Sequence, residues 1–474
     1  MQALLYGYDV NAPTWAYLSA LLVTAVYFRF ARVFSSRNLD LVLLFSLAPG
    51  MLLTRSESTR TTGFVWLMVV TAALVVRALF DPWQKWRPRF DQNMNEAGML
   101  FLGVCSLLFL GVRAATEPLA DSTNETITRA EALIDREALP AANLPPVVST
   151  DPVTPVDDGE PADASPAELP PSDPPSQAAI PQADLAAGPG AAVLAAPVNY
   201  LFDNVAPRAL AILSHLLVVA GLFWAGRSTF DSSKTGVAMA TLYTLLPGTA
   251  YEVTAVNHVL PAALTMWAFV LHRRPVAAGV LLGMAGATQV FPLFLVPVWA
   301  SYYGRAGVKR FLLGFGVTLA AAAGSLVFVA SDAESFFRLV LGSFYPYVQM
   351  LGGSPDAPAL DAGGFWSGGA TWSLYRLPVI VAYLLMAGLF AFAPRPKTLE
   401  MLLAQSVALI LGTQFWVPGG GGLFFVWYLP LLLLMMFRPR LPDPFEVAEP
   451  TATVRVSEPA MPSRGGTVKS GTLR

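Results

Sequence analysis

The sequence predicts an all-α fold: a polytopic helical membrane protein with about twelve to thirteen transmembrane helices and a long disordered outer loop. Three observations carry this. Of 474 residues, 54% are hydrophobic and only 13% charged, with a mean hydropathy of +0.53. Soluble domains carry about 25% charged residues, so this chain lacks the polar side chains to coat soluble globules. The apolar residues also fall in runs close to the ~20 that cross a bilayer as a helix. Between those runs, short turns repeatedly carry Lys and Arg, as cytoplasmic loops do.

In chain order, the runs are 14–30, 39–54, 63–80 and 97–114, which form an N-terminal membrane bundle over 1–114. A second bundle over 206–440 holds 208–226, 236–251, 256–271, 275–290, 291–303, 311–330, 377–393, 400–417 and 422–437. The run 39–54 is interrupted by Pro49-Gly50, and 275–303 is interrupted around Gln289 to Pro292. Between the bundles, residues 115–205 hold fifteen acids against Arg129 and Arg136, a net charge of −13, while the rest of the chain carries +11. From Ala115 to Asn199 there is no Phe, Trp or Tyr. Such a stretch buries too little apolar surface to offset its chain entropy, so disorder is expected there. The polar tail 441–474 is expected to be disordered as well.

The basic clusters set the orientation. They lie at Arg29/Arg32/Arg37, Arg77/Lys85/Arg87/Arg89, Arg227/Lys234, Arg273/Arg274, Arg305/Lys309/Arg310, Arg395/Lys397 and Arg438/Arg440. If all are cytoplasmic, the N-terminus is outside and the C-terminus inside, in a bacterial-type cytoplasmic membrane. Arg274 and Arg305 then share a side, so 275–303 must cross twice, turning at Gln289–Pro292. Arg55 and Arg60 are the exception, in an outer turn. No basic n-region precedes the first run, so no cleaved signal peptide is expected.

The composition excludes several classes. Thirty bases against 32 acids do not make a nucleic-acid binder. Cys105 is the only cysteine, so no disulfide framework exists. With three histidines besides, no metal cluster is expected, although the need for a divalent cation stays open.

Candidate functional residues gather on the outer side. Segment 331–376 holds many aromatics, among them Trp366, and Arg376, a cation able to hold a phosphate at a span boundary. Ser335–Leu341 reads as an amphipathic interfacial helix with Phe336, Phe337 and Val340 toward lipid. The turn before 256–271 offers Glu252, with Asn257 and His258 one turn into the helix. Polar groups at membrane depth are costly, so they line cavities or pair internally. His258 thus reads as a proton relay, a ligand for a sugar hydroxyl, or a buried structural histidine. His215 reads as a helix–helix hydrogen-bonding residue and His272 as a solvated inner turn. Gln289 marks a broken span, a frequent binding-site device. Asp9 is a lone acid in the outer N-terminal segment.

Residues 206–438 resemble the GT-C superfamily of integral-membrane glycosyltransferases, most closely its polyprenol-phosphate-mannose-dependent α-mannosyltransferases. The resemblance rests on Asn257 at a span start, Arg274-Pro275, Ala278-Gly279-Val280-Leu281-Leu282-Gly283, Ala287-Thr288-Gln289-Val290-Phe291-Pro292, Pro297-Val298-Trp299 and Trp427-Tyr428-Leu429-Pro430. It implies a membrane lipid donor, a polyprenyl-phosphate-linked sugar, used at the non-cytoplasmic face. It also implies an outer carboxylate as base (Glu252 or Asp9), sugar contacts from Asn257 and His258, and phosphate contacts from Arg376. Two features depart from the family. Gln289 stands where it usually has Lys, and the first span enters from outside rather than leading to an outer loop with the catalytic acid. A transporter or lipid flippase, and a non-catalytic scaffold recruiting partners through its acidic loop, are the alternatives. The absence of an acid at any span centre argues against proton coupling. Oligomeric state is not legible.

Overall fold

A computed structural model describes residues 11–84, 92–139, 187–352, 364–366, 370–393 and 396–439. Asp9, the middle of the acidic stretch and the C-terminal tail lie outside the described residues. Those described form an all-α membrane protein with no strand among them. Each predicted span contains helix among the described residues, although 422–437 is helical only in the 3₁₀ turn Phe425–Trp427 and in Leu429–Phe437. The N-terminal ones are α1 (Ala12–Tyr27), α2 (Ser36–Leu53), α3 (Arg60–Phe80) and α4 (Glu96–Thr116). After them come α5 (Asp121–Asp135), α6 (Pro189–Phe202), α7 (Ala206–Ser228), α8 (Ser233–Leu245), the short α9 (Pro247–Tyr251), α10 (Val256–Val270), α11 (Pro275–Thr288) and α12 (Val296–Ser325). The last are α13 (Ala333–Leu341), α14 (Tyr345–Gly352), α15 (Ala370–Phe392), α16 (Leu399–Thr413) and α17 (Leu429–Phe437). Among the described residues, six helical segments are long and apolar enough to cross a bilayer by length and composition.

Burial sorts the helices. Every residue from Leu402 to Thr413 and from Leu429 to Phe437 is buried, and in α10 all but Trp267. A helix apolar on all sides belongs inside a bundle, so α10, α16 and α17 form the centre. Around them, α4 exposes Leu100, Phe101, Val104, Leu108 and Val112, and α15 exposes Val381, Leu384, Leu385 and Leu389. These are lipid-facing stripes, and Cys105 lies on the first of them. The N- and C-terminal groups of spans share one core that runs from Trp15 to Phe437.

Ends assigned to one side meet in an ion-pair network. Arg77 binds Asp40 through Nε (2.7 Å) and Nη2 (3.0 Å), and Asp81 through Nη1 (2.9 Å). Arg438 binds the other oxygen of Asp81 through Nη2 (2.7 Å) and Nε (3.0 Å), and also pairs with Glu400. At the opposite ends, Tyr251 donates to the Ala12 carbonyl (2.8 Å), and Arg208 to those of Ala114 and Glu117 (3.2 and 3.1 Å).

The break at Gln289 is real. Helix α11 stops at Thr288, Gln289 is extended, and a 3₁₀ turn, Phe291–Leu295, starts the return. The chain reverses again at Gly304 (φ 55°), the left-handed region that glycine reaches without strain. The second half of α12 therefore runs parallel to α11. Gly279 packs on Phe311 and Gly283 on Phe315, with Gly314 against Val276.

Three expectations are corrected. The stretch 115–205 is not wholly without structure, since α5 and α6 lie inside it. Helix α5 buries Thr123, Thr126, Ile127 and Ala130, small groups that a search for large apolar residues overlooks. Helix α6 is apolar and was averaged with its acidic neighbours. In α13, Phe337 and Leu341 are the exposed large apolar residues, whereas Phe336 and Val340 pack against Leu139, Leu326 and Val329. His272 is buried: its Nδ1 meets the Phe269 carbonyl (2.8 Å), and Tyr303 donates to its own carbonyl (2.8 Å). Burial, and to a lesser degree neighbouring Arg273, pushes its pKa below the usual histidine value.

Candidate functional site

The turn between α8 and α10 positions three of the predicted residues. Pro247 starts α9 and cannot extend α8. Glu252 ends α9, half-buried, with its carbonyl accepting from Ala255 N–H (3.2 Å). Helix α5 lies across this turn. Thr123 Oγ1 donates to the Thr254 carbonyl (2.8 Å) and accepts from Val256 N–H (3.3 Å), capping α10 from another element. Thr126 Oγ1 lies 3.0 Å from Asn257 Oδ1, and Asn257 Nδ2 is buried with no partner among the described residues.

His258 points the other way, toward the last span. Trp427 Nε1–H donates to His258 Nδ1 (2.9 Å). An indole N–H only donates, so Nδ1 is the bare acceptor and the ring proton sits on Nε2. With this bond in place, Nε2–H is the donor of the ring. Aromatic rings enclose it. Phe424 and Trp427 stack at 4.5 Å, Phe291 stacks on Trp427 at 4.7 Å, and the His258 ring lies 4.9 Å from Phe424. Two residues before Phe291, Gln289 is 1% exposed; its Oε1 meets Val290 N–H (3.2 Å) and its Nε2 has no partner among the described residues. Gly188, before α6, donates to the Thr288 carbonyl (2.9 Å) and closes this corner.

A second group surrounds Arg376. The sequence suggests an interfacial position, but Arg376 is 1% exposed and lies over the Trp366 ring at 5.1 Å. Arg376, Tyr383 and Phe390, seven residues apart, form one buried stripe along α15. Trp366 Nε1–H donates to the Phe415 carbonyl (2.9 Å). The next residue, Trp416, meets Tyr383 (5.3 Å), Phe294 (5.5 Å) and Tyr347 (5.9 Å). The 3₁₀ turn Phe291–Leu295 bridges the groups, with Phe291 on the His258 side and Phe294 on the Trp416 side.

The structure thus brings Arg376 to Trp366 and His258 to the neighbourhood of Gln289, all at the same ends of the helices. Glu252 and Asn257 share the α9–α10 turn with His258 but face different neighbours. Asp9 lies outside the described residues. Sequence reasoning missed Trp427, Phe291 and Trp416 as partners; they lie far along the chain from His258 and Arg376, and only the stripe spacing from Arg376 was readable. His215 is a structural histidine, between the Tyr243 hydroxyl (2.9 Å) and the Val253 carbonyl (3.2 Å). Among the described residues no three His, Cys, Asp or Glu side chains gather as a metal site.

The histidine assignment is checkable. ¹⁵N spectra are expected to show His258 as the Nε2–H tautomer. Trp427→Phe keeps the ring stack and removes the donor, so it should cost about 1 kcal/mol and allow tautomer exchange. An Nδ1–H signal in the unsubstituted protein would refute the bond. Comparisons with protein-family models, curated proteins and solved structures each found no match.

Proposed function

We propose that the protein is a membrane glycosyltransferase that takes a sugar from a polyprenyl-phosphate carrier at the non-cytoplasmic face. The observation that carries this reading is the His258 environment. A neutral donor held among Trp427, Phe424 and Phe291, beside the buried amides of Asn257 and Gln289, suits the hydroxyls and apolar faces of a sugar. Arg376, buried over Trp366, supplies the cation for the donor phosphate. Glu252, half-buried at the same turn, is the candidate general base that removes the acceptor proton. Among the described residues the buried acids, Asp40 and Asp81, are bound by arginines, which supports no proton carrier for a transporter reading.

On this reading the ion-pair end faces the cytoplasm and the Glu252 end faces outward. Cys105 is the sole cysteine and lies mid-helix on the lipid side. A Cys105→Ser background with one cysteine at Ser58 should therefore react with an impermeant maleimide from outside intact cells. The transfer itself is tested with purified protein, a panel of radiolabelled polyprenyl-phosphate sugars and extracted lipid or glycan acceptors. Glu252→Gln is expected to slow transfer by about 10²-fold or more with folding unchanged. No transfer from any donor, with cellular glycoconjugates intact after deletion, would sink the proposal.

A further inference from the structure

The end of α4 carries buried donors that nothing above employs. Arg113, in its last turn, pairs through Nη2 with Glu117, but its Nε and Nη1 are buried without an acceptor among the described residues. An arginine here ordinarily serves the helix's open carbonyls. Arg208 has taken that role, since it binds the carbonyls of Ala114 and Glu117. One turn back from Arg113, Phe109 stacks on Trp15 at 4.3 Å. Trp15 is 7% exposed, and its indole N–H also has no acceptor among the described residues. Three residues before Trp15, the Ala12 carbonyl binds the hydroxyl of Tyr251. Over the Tyr251 ring, at 4.8 Å, lies the guanidinium of Arg55, an exposed residue. Both Arg55 and Arg113 act electrostatically on the Tyr251 phenol.

Two positive charges, Arg55 and Arg113, therefore act at Tyr251, and the buried Trp15 N–H lies one turn along α1 from the Ala12 carbonyl that binds the Tyr251 hydroxyl. Among the described residues Glu117 pairs with Arg113, and Glu252 follows Tyr251 with an interaction of its own. Buried charged N–H groups without acceptors are costly, and an anion with several acceptor oxygens removes that cost. We propose that Arg113, Arg55 and Trp15 form a binding site for a phosphate group, that of a lipid headgroup or of free phosphate, separate from Arg376. The two outer-turn arginines that run against the positive-inside pattern include Arg55, and this site gives it a role. Under the transferase reading, the phosphate beside Glu252 belongs to the acceptor, while Arg376 holds the donor's.

The test uses the full chain in neutral detergent, with binding followed by tryptophan fluorescence and native mass spectrometry. The probes are short-chain phosphatidylglycerol, short-chain phosphatidylcholine as the zwitterionic control, and inorganic phosphate. Saturable phosphatidylglycerol binding that weakens by about tenfold or more in Arg113→Gln and in Arg55→Gln, and less in Trp15→Phe, supports the site. The same pattern with inorganic phosphate supports it with free phosphate as ligand. Arg55 is exposed, so its variant tests the site even if Arg113→Gln folds poorly. Equal binding in all three variants overturns the proposal, as does preference for neither anion over phosphatidylcholine. Loss confined to Arg376→Gln also overturns it, while leaving the transferase reading standing, because no arm depends on transfer activity.

Discussion

Asp81→Ala is expected to destabilise the protein by about 3–5 kcal/mol, the usual cost of removing one member of a buried ion pair. Asp81 is fully buried, and its two carboxylate oxygens are divided between Arg77 and Arg438. Its loss takes a carboxylate from two guanidinium groups at once, leaving Arg77 with Asp40 alone and Arg438 with Glu400 alone. Asp40→Ala should cost less, because Arg77 keeps Asp81. The network ties the start of α2, the end of α3, the start of α16 and the end of α17, so its loss should loosen the central helices first. Thermal unfolding in detergent with hydrogen exchange at α16 and α17 checks this. Equal, small effects for Asp40→Ala and Asp81→Ala would show that the charges are solvated and the clamp is not real.

Gly279→Val should be at least as damaging. A Cβ at Gly279 would run into the Phe311 carbonyl oxygen, and one at Gly283 would lie 2.6 Å from that of Phe315. Backbone carbonyls cannot rotate away as side chains can, so α11 and α12 must part. Overpacking costs about 1–3 kcal/mol and sometimes more, and without a hydrophobic drive between helices in lipid, close packing is what holds such a pair. The expected result is loss of monodisperse protein on gel filtration. Gly316→Ala is the control: a Cβ there meets nothing within 4 Å, and alanine favours helix by about 0.5–1 kcal/mol. If both variants behave alike, the close approach does not support the fold.

Much of this was legible because it is local. Span length and the break at Gln289–Pro292 follow from hydropathy and proline, both of which act on neighbouring residues. The pairings were not legible. His258 meets Trp427 and Arg376 meets Trp366 because separate elements converge, and hydropathy carries no information on which ones. The Gly279-x-x-x-Gly283 spacing marks a close helix contact, but the spacing alone does not say that its partner is the Phe311–Phe315 stretch. Helix α5 escaped because it is held by threonine hydroxyls and alanines rather than by large apolar side chains. His272 was placed in solvent because it neighbours Arg273, and the tyrosines of α12 that cover it come from a later helix.

The parallel pairing of α11 with the second half of α12 has a consequence for biogenesis. Two helices that run in the same direction cannot insert as a hairpin. The returning segment around Trp299 must cross the membrane between them, and the chain must reverse at Gly304, before Phe311 can reach Gly279. Until residues beyond Phe315 leave the insertion machinery, the glycine face of α11 stands open to lipid. A chain arrested just before that point should expose Gly279 and Gly283 to lipid-phase crosslinkers, and one arrested just after it should protect them.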